Sequence, residues 1–118
     1  MRYFTWFKKP NNVGDHQKYN KLITVSSISE VPEDTKDNIY VVFAGNSYKC
    51  VILMCPNRCG QRIEINLMKV RKPRWRIHIK RKKVSIYPSV HVNTCGAHFW
   101  LIRNEVEWAL FDNEIYLR

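Results

Sequence analysis

Cys-Pro-Asn-Arg-Cys-Gly at residues 55–60, with Cys-Gly-Ala-His at residues 95–98, decides how we expect this chain to fold. Each segment is typical of a short turn that offers two metal ligands, and two such turns supply the four tetrahedral positions that zinc prefers. Both segments contain a glycine, which lets the backbone turn tightly around an ion. The predicted Zn²⁺ ligands are Cys55, Cys59, Cys95 and His98.

The composition favours one small globular domain. The chain has 118 residues, 45 % of them hydrophobic and 13 % aromatic, enough for a core but few enough to gain from a metal staple. The sequence has no run of 18 apolar residues and therefore predicts no membrane span. Residues 1–10 lack the apolar stretch of a signal peptide. We therefore expect a cytoplasmic protein in which paired cysteines bind metal, while Cys50, inside an apolar run, belongs to the core.

The net charge of +10 is unevenly placed. Residues 69–83 hold nine Lys or Arg and no Asp or Glu, which fits a surface for phosphates or for an acidic protein. The other interpretation is a solvated ribbon whose charges discourage edge-to-edge aggregation. The predicted partner-binding residues are Arg71, Lys72, Arg74, Arg76, Lys80, Arg81, Lys82 and Lys83.

Short runs rich in β-branched and aromatic residues predict strands along most of the chain. They cover residues 22–25, 39–44, 48–54, 62–67, 74–79, 84–88, 99–102 and 106–110. No segment sustains a 3.6-residue period, so helix is minor. The prediction is a mainly β protein, a single small domain of antiparallel hairpins at residues 21–118 stapled by zinc, with residues 1–20 as an arm or cap.

Alternation within one predicted strand separates two faces. Trp75, Ile77 and Ile79 share a face that we expect to be buried. The other face carries Arg74, Arg76, His78 and Lys80. Trp75 lies between two arginines, which is also typical of a stacking platform for single-stranded nucleic acid, but the alternation favours core packing.

Several motifs follow one another in a familiar order. They are Cys-Pro-x-x-Cys-Gly, Ile-Glu-Ile-Asn-Leu, Pro-Arg-Trp, Tyr-Pro-Ser-Val, Cys-x-x-His-Phe-Trp-Leu-Ile-Arg and Val-Glu-Trp. From about Val25 to Trp108 the chain resembles small bacterial proteins catalogued as a domain of unknown function, encoded beside ubiquitin-like proteins and their E1- and E2-like enzymes. The resemblance implies a zinc-containing peptidase that processes a ubiquitin-like protein or releases it from conjugates. Relatives often carry His-Pro-Ser where this chain has Tyr87-Pro88-Ser89.

The metal allows two kinds of chemistry. Four protein ligands make a closed, structural site, because catalytic zinc keeps one position for water. Alternatively His98 is free, three cysteines hold a zinc-bound water, and Glu64 acts as general base or acid. Glu64 is otherwise a solvent-facing strand carboxylate.

Ser89 offers a route to peptide cleavage without a catalytic metal. A serine nucleophile needs a base within hydrogen-bond reach, and His91 and His98 are the candidates. Because a histidine that binds zinc cannot also accept the serine proton, pairing Ser89 with His98 excludes the closed four-ligand site. Ser89 could instead donate a hydrogen bond to a tetrahedral intermediate, or simply cap a turn.

The predicted catalytic residues are therefore Ser89 and Glu64, in a peptidase acting on a ubiquitin-like protein or its conjugates. The alternative is a non-enzymatic zinc-ribbon-like module that binds nucleic acid through residues 69–83. An adaptor that holds an acidic protein with the same charges is a third possibility.

Overall fold

The computed structural model describes residues 17–109 and confirms a mainly β protein. Its strands are β1 (Leu22–Val25), β2 (Ile39–Ala44), β3 (Ser47–Met54), β4 (Arg62–Asn66), β5 (Arg76–Lys80), β6 (Lys83–Val92), β7 (Ala97–Ile102) and β8 (Glu105–Trp108). Within the described range the helical content is one 3₁₀ turn, Ile28–Glu30. The described residues include no helical segment that could span a bilayer. Most of the predicted arm, residues 1–16, and the final residues 110–118 lie outside the described part of the chain.

The first sheet has the strand order β1-β2-β3-β4. Strands β2, β3 and β4 form the antiparallel hairpins that the sequence predicts. In contrast, β1 pairs with β2 in parallel, a pairing that the prediction of antiparallel hairpins did not include. The physical reason is the long connection over residues 26–38, because parallel neighbours need a crossover of about a dozen residues or more.

The second sheet has the order β5-β6-β7-β8 and is antiparallel throughout. Its register is irregular in one place. Ile86 pairs with Leu101 and Val90 pairs with Phe99, so β6 advances four residues where β7 advances two. Residues 87–89, Tyr-Pro-Ser, are accordingly a bulge in β6, a feature that bends a strand and re-aims its side chains.

One cluster of buried side chains joins the two sheets. The first sheet contributes Val41, Val51, Leu53 and Ile65, and the second contributes Val84, Ile86, Val90, Phe99 and Leu101. Trp75, Ile77 and Ile79 pack against this cluster, while Arg74, Arg76, His78 and Lys80 are exposed. The predicted alternation around β5 is confirmed.

A second, smaller cluster covers the other face of the first sheet. It contains Val31, Tyr40, Val42, Cys50 and Ile52. Cys50 is 1 % exposed, which confirms it as a core residue, and burial raises the pKa of its thiol to about 11.

The turn between β7 and β8 ties the start of the described chain to both sheets. The Asn104 side chain is 1 % exposed, and its Oδ1 accepts a 2.7 Å hydrogen bond from the Val84 N–H. The Asn104 carbonyl accepts another, also 2.7 Å, from the Tyr19 N–H. The buried Tyr19 in turn donates its hydroxyl to the Met54 carbonyl at 2.6 Å. Tyr19, which belongs to the predicted arm or cap of residues 1–20, therefore contributes to the core.

We predict that Asn104→Gly lowers the free energy of unfolding by about 1–3 kcal/mol, because it leaves the buried Val84 N–H without its acceptor. Glycine keeps the positive φ of 67° at this position, so backbone strain does not enter. The matched control is Arg103→Gly, at an exposed neighbour with φ 48°, which should be neutral or stabilising. Urea denaturation measures both. Equal stability of Asn104→Gly and the parent would contradict the prediction.

Candidate active site and cysteine cluster

Three cysteines meet where a turn of the first sheet contacts a turn of the second. Cys55 directly follows β3, Cys59 lies in the turn before β4, and Cys95 lies in the turn between β6 and β7. Gln61 connects the two turns, since its carbonyl accepts from the Cys55 N–H and its side-chain oxygen accepts from the Thr94 hydroxyl, both at 2.8 Å.

The geometry of the three thiols suits a metal ion. Their Sγ atoms all lie within 4.8 Å of one another, and Cys55 Sγ is 3.6 Å from Cys95 Sγ. A tetrahedral zinc with Zn–S bonds of about 2.3 Å places its sulfurs about 3.8 Å apart. The cluster could therefore hold a metal and staple the two turns together.

The pKa values of two of these thiols are shifted in opposite directions. Burial raises the pKa of Cys55 to about 12. Burial also opposes ionisation of Cys95, but the Ala97 backbone N–H and the neighbouring thiols of Cys59 and Cys55 outweigh it and lower its pKa. An N–H group directed at a sulfur stabilises the thiolate, which is the form that binds metal.

A second constellation lies on the outer face of the second sheet. Ser89 Oγ is 2.8 Å from His98 Nε2, a distance at which a serine and a histidine share a proton. His91 and His98 are directly opposite each other on β6 and β7, and their rings stack with centroids 5.1 Å apart and planes at 29°. Ser89 and His98 are each partly exposed, so a substrate can reach them.

The backbone of Ser89 is held by a residue of the basic segment. The Trp75 indole N–H donates a 3.0 Å hydrogen bond to the Ser89 carbonyl, while its ring packs against the shared core. The sequence carries no signal for this hydrogen bond. The bulge, in contrast, does have a signal in the sequence, because a proline inside a strand removes a donor from the hydrogen-bond ladder and marks irregular pairing.

The structure separates the predicted site residues into two groups. His98, predicted as the fourth metal ligand, is not in the group formed by Cys55, Cys59 and Cys95; one of its ring nitrogens faces Ser89 instead. Glu64 is exposed and pairs with Ile52, which belongs to the cluster on the far side of the first sheet. The geometry thus brings Ser89 and His98 together and leaves Glu64 on another surface.

The predicted partner-binding residues are all exposed. Arg76 and Lys80 lie on β5, while Arg81 and Lys82 form the turn to β6, both with positive φ. Lys83 begins β6, and Arg71, Lys72 and Arg74 lie in the loop before β5.

Comparison with known families finds a match over most of the chain. The model of a family described as "Bacterial ubiquitination-like system serine protease (BubE)" matches residues 26–109, a range that contains both the three cysteines and the Ser89–His98 pair. No curated protein and no solved structure matched the chain.

We predict that Cys95 is alkylated before Cys55 and Cys50 in metal-free protein near neutral pH. The thiolate is the reactive form, and the pKa of Cys95 is lowered whereas those of the other two are raised. Timed iodoacetamide labelling with peptide mass spectrometry measures the order, and circular dichroism checks that the protein is folded. Faster labelling of Cys55 than of Cys95 would contradict the prediction.

Proposed function

The chain belongs to the family of bacterial ubiquitination-like system serine proteases (BubE), and we propose that Ser89 is its nucleophile and His98 the general base. The observation that carries this proposal is the 2.8 Å separation of Ser89 Oγ and His98 Nε2. Only a side chain within such reach can take the hydroxyl proton as the oxygen attacks. Among the residues considered as bases, His91 stacks on the His98 ring, whereas His98 contacts the serine itself.

The reaction follows from these two groups. His98 Nε2 takes the proton of Ser89 as Oγ bonds to the carbonyl carbon of the substrate. The carbon–nitrogen bond then breaks, and His98 returns the proton to the leaving amine. This leaves an acyl ester on Ser89. Water, deprotonated by the same histidine, releases the acyl group and restores the serine.

Two contacts hold the reacting groups in place. Trp75 fixes the Ser89 carbonyl, and the His91 ring stacks on the His98 ring with the planes at 29°, which limits rotation of the His98 ring. Side chains held in position before the substrate arrives lower the cost of reaching the transition state. Because Tyr87 stands where relatives often carry a histidine, the proposal assigns no catalytic task to that position.

The three cysteines would hold Zn²⁺, which in this proposal supplies folding stability. Clasping Cys95 to the turn after β3 anchors the ends of β6 and β7, the strands that carry Ser89 and His98. Three protein ligands leave a fourth position on the ion, but a set of thiolates weakens the Lewis acidity of zinc. Glu64, the base considered for a zinc-bound water, also lies on another surface, so the ion is assigned a structural role. His98 acts as the base and is not a ligand, and Glu64 has no part in the reaction.

The substrate in this proposal is a ubiquitin-like protein, cut at its C-terminal tail or released from a conjugate in the cytoplasm. Support comes from the family description, which places the match in a ubiquitination-like system. Ser89 and His98 are partly exposed on a sheet face, which leaves the pair accessible to the extended tail of a protein substrate.

We expect Ser89→Ala and His98→Gln each to lower kcat by about 10³-fold or more on a ubiquitin-like protein with a C-terminal extension. The double variant should be no worse than either single one, since the two residues act as a unit. Ser47→Ala, at an exposed serine of the first sheet, serves as the control and should retain full activity. Activity of Ser89→Ala within tenfold of the parent would exclude Ser89 as the nucleophile.

We also expect about one zinc per chain. Cys59→Ser should lower both the zinc content and the thermal midpoint, whereas Cys50→Ala should keep its zinc. His98→Gln should keep its zinc. Protein loaded with Co²⁺ should keep kcat within about threefold, because a structural ion does not take part in the reaction. Elemental analysis, thermal denaturation and kinetics measure these effects. Loss of zinc in His98→Gln would instead support the four-ligand site.

A further inference from the structure

The basic charges of residues 69–83 are not spread evenly around the molecule. On β5 the side chains of Arg76, His78 and Lys80 are exposed, while Ile77 and Ile79 between them pack on the core. The three exposed side chains therefore lie in a row on the outer face of the second sheet. Ser89 and His98 lie on that same face, because Val90 and Phe99 point inward.

The row begins beside the nucleophile. Arg76 pairs with Tyr87 across β5 and β6, and Ser89 follows two residues later. Paired Cα atoms lie about 5 Å apart and two residues of chain span at most about 7 Å. The Cα atoms of Arg76 and Ser89 therefore lie at most about 12 Å apart, comparable with the screening length of about 10 Å at 0.1 M salt. From there the row continues to Lys80, which pairs with Lys83. An extended segment crossing Ser89 towards β5 would meet Tyr87, which is 38 % exposed, and then positive charge.

We propose that this outer face of β5, defined by Arg76, His78 and Lys80, binds an acidic stretch of the protein substrate beside the bond that Ser89 cuts. The inference rests on the proposed function and adds the chemistry of the partner, which is a carboxylate-rich polypeptide segment. Neither β5 nor the neighbouring β6 carries an acidic side chain, so positive charge dominates over these two strands and steers the approach of an acidic partner.

The same surface argues against single-stranded nucleic acid as the occupant. Strand-binding surfaces combine basic residues with aromatic rings on which bases stack. Within residues 69–83 Trp75 is the one Phe, Tyr or Trp, and its indole is engaged with the core and with the Ser89 carbonyl. Beside the row Tyr87 is the one exposed tyrosine on β6, whereas strand-binding grooves stack successive bases on several rings. A carboxylate partner needs only the charges.

The test compares two double variants with the same change in net charge. Arg76→Glu/Lys80→Glu reverses the row, and Lys21→Glu/Lys36→Glu reverses two exposed lysines outside residues 69–83. The first probe is the ubiquitin-like protein of the same system, with binding measured in the Ser89→Ala background so that no cleavage is required. We expect the row variant to raise Kd about tenfold and the control to change it less than twofold.

In the active chain the row variant should raise KM for a C-terminally extended ubiquitin-like protein about tenfold with kcat within threefold. Added salt should raise KM for the parent more steeply than for the row variant. The proposal is overturned if the row variant binds as tightly as the parent. It is equally overturned if the control weakens binding as much as the row variant does, because the net charge would then explain the effect without the row. It is also overturned if the row variant loses affinity for a single-stranded oligonucleotide while keeping that for the protein. If the intact chain does not cleave the ubiquitin-like protein, only the proposed function is contradicted. The binding measurement still tests whether the row binds that protein.

Discussion

The pairing register between β6 and β7 is the constraint on which the candidate active site depends. Residues on a strand alternate between faces, so a slip of one position would turn an outward side chain into the core. The bulge at residues 87–89 absorbs two extra residues, and beyond it Val90 pairs with Phe99 and His91 with His98. This arrangement keeps Ser89 and His98 on one surface while their neighbours fill the core.

The register is held from both ends. On one side the Cys95 turn meets Cys55 and Cys59 from the first sheet, so the closed end of the β6–β7 hairpin is joined to another part of the fold. On the other side Asn104 binds both the N–H and the carbonyl of Val84, at the start of β6. The Trp75 hydrogen bond acts between these ends, at the bulge itself. Contacts made by other residues, namely the cysteine cluster, Asn104 and Trp75, thus position Ser89 and His98.

Much of this architecture could be predicted from local sequence. Runs of β-branched residues marked all eight strands, alternation placed Trp75 inward and Arg76 outward, and glycine-assisted cysteine turns marked the cluster. The rest depends on contacts distant in sequence. The connection over residues 26–38 is long enough for a parallel β1–β2 pair but does not require one. Strand alternation shows that Glu64 faces away from Ile65 without showing which face meets the second sheet. The choice between zinc and Ser89 as the partner of His98 was equally open, because it depends on how β6 and β7 align.

The bond between Tyr19 and Asn104 has a consequence for how the chain is made. Its partners lie 85 residues apart in sequence, and translation proceeds from the first to the second. Tyr19 can reach its final environment only after the β7–β8 turn has left the ribosome, since domains complete long-range contacts once the participating segments are available. Until then the apolar surface that Tyr19 covers near Met54 is open to other chains, so the emerging polypeptide is exposed to aggregation until the residues around Asn104 have been made.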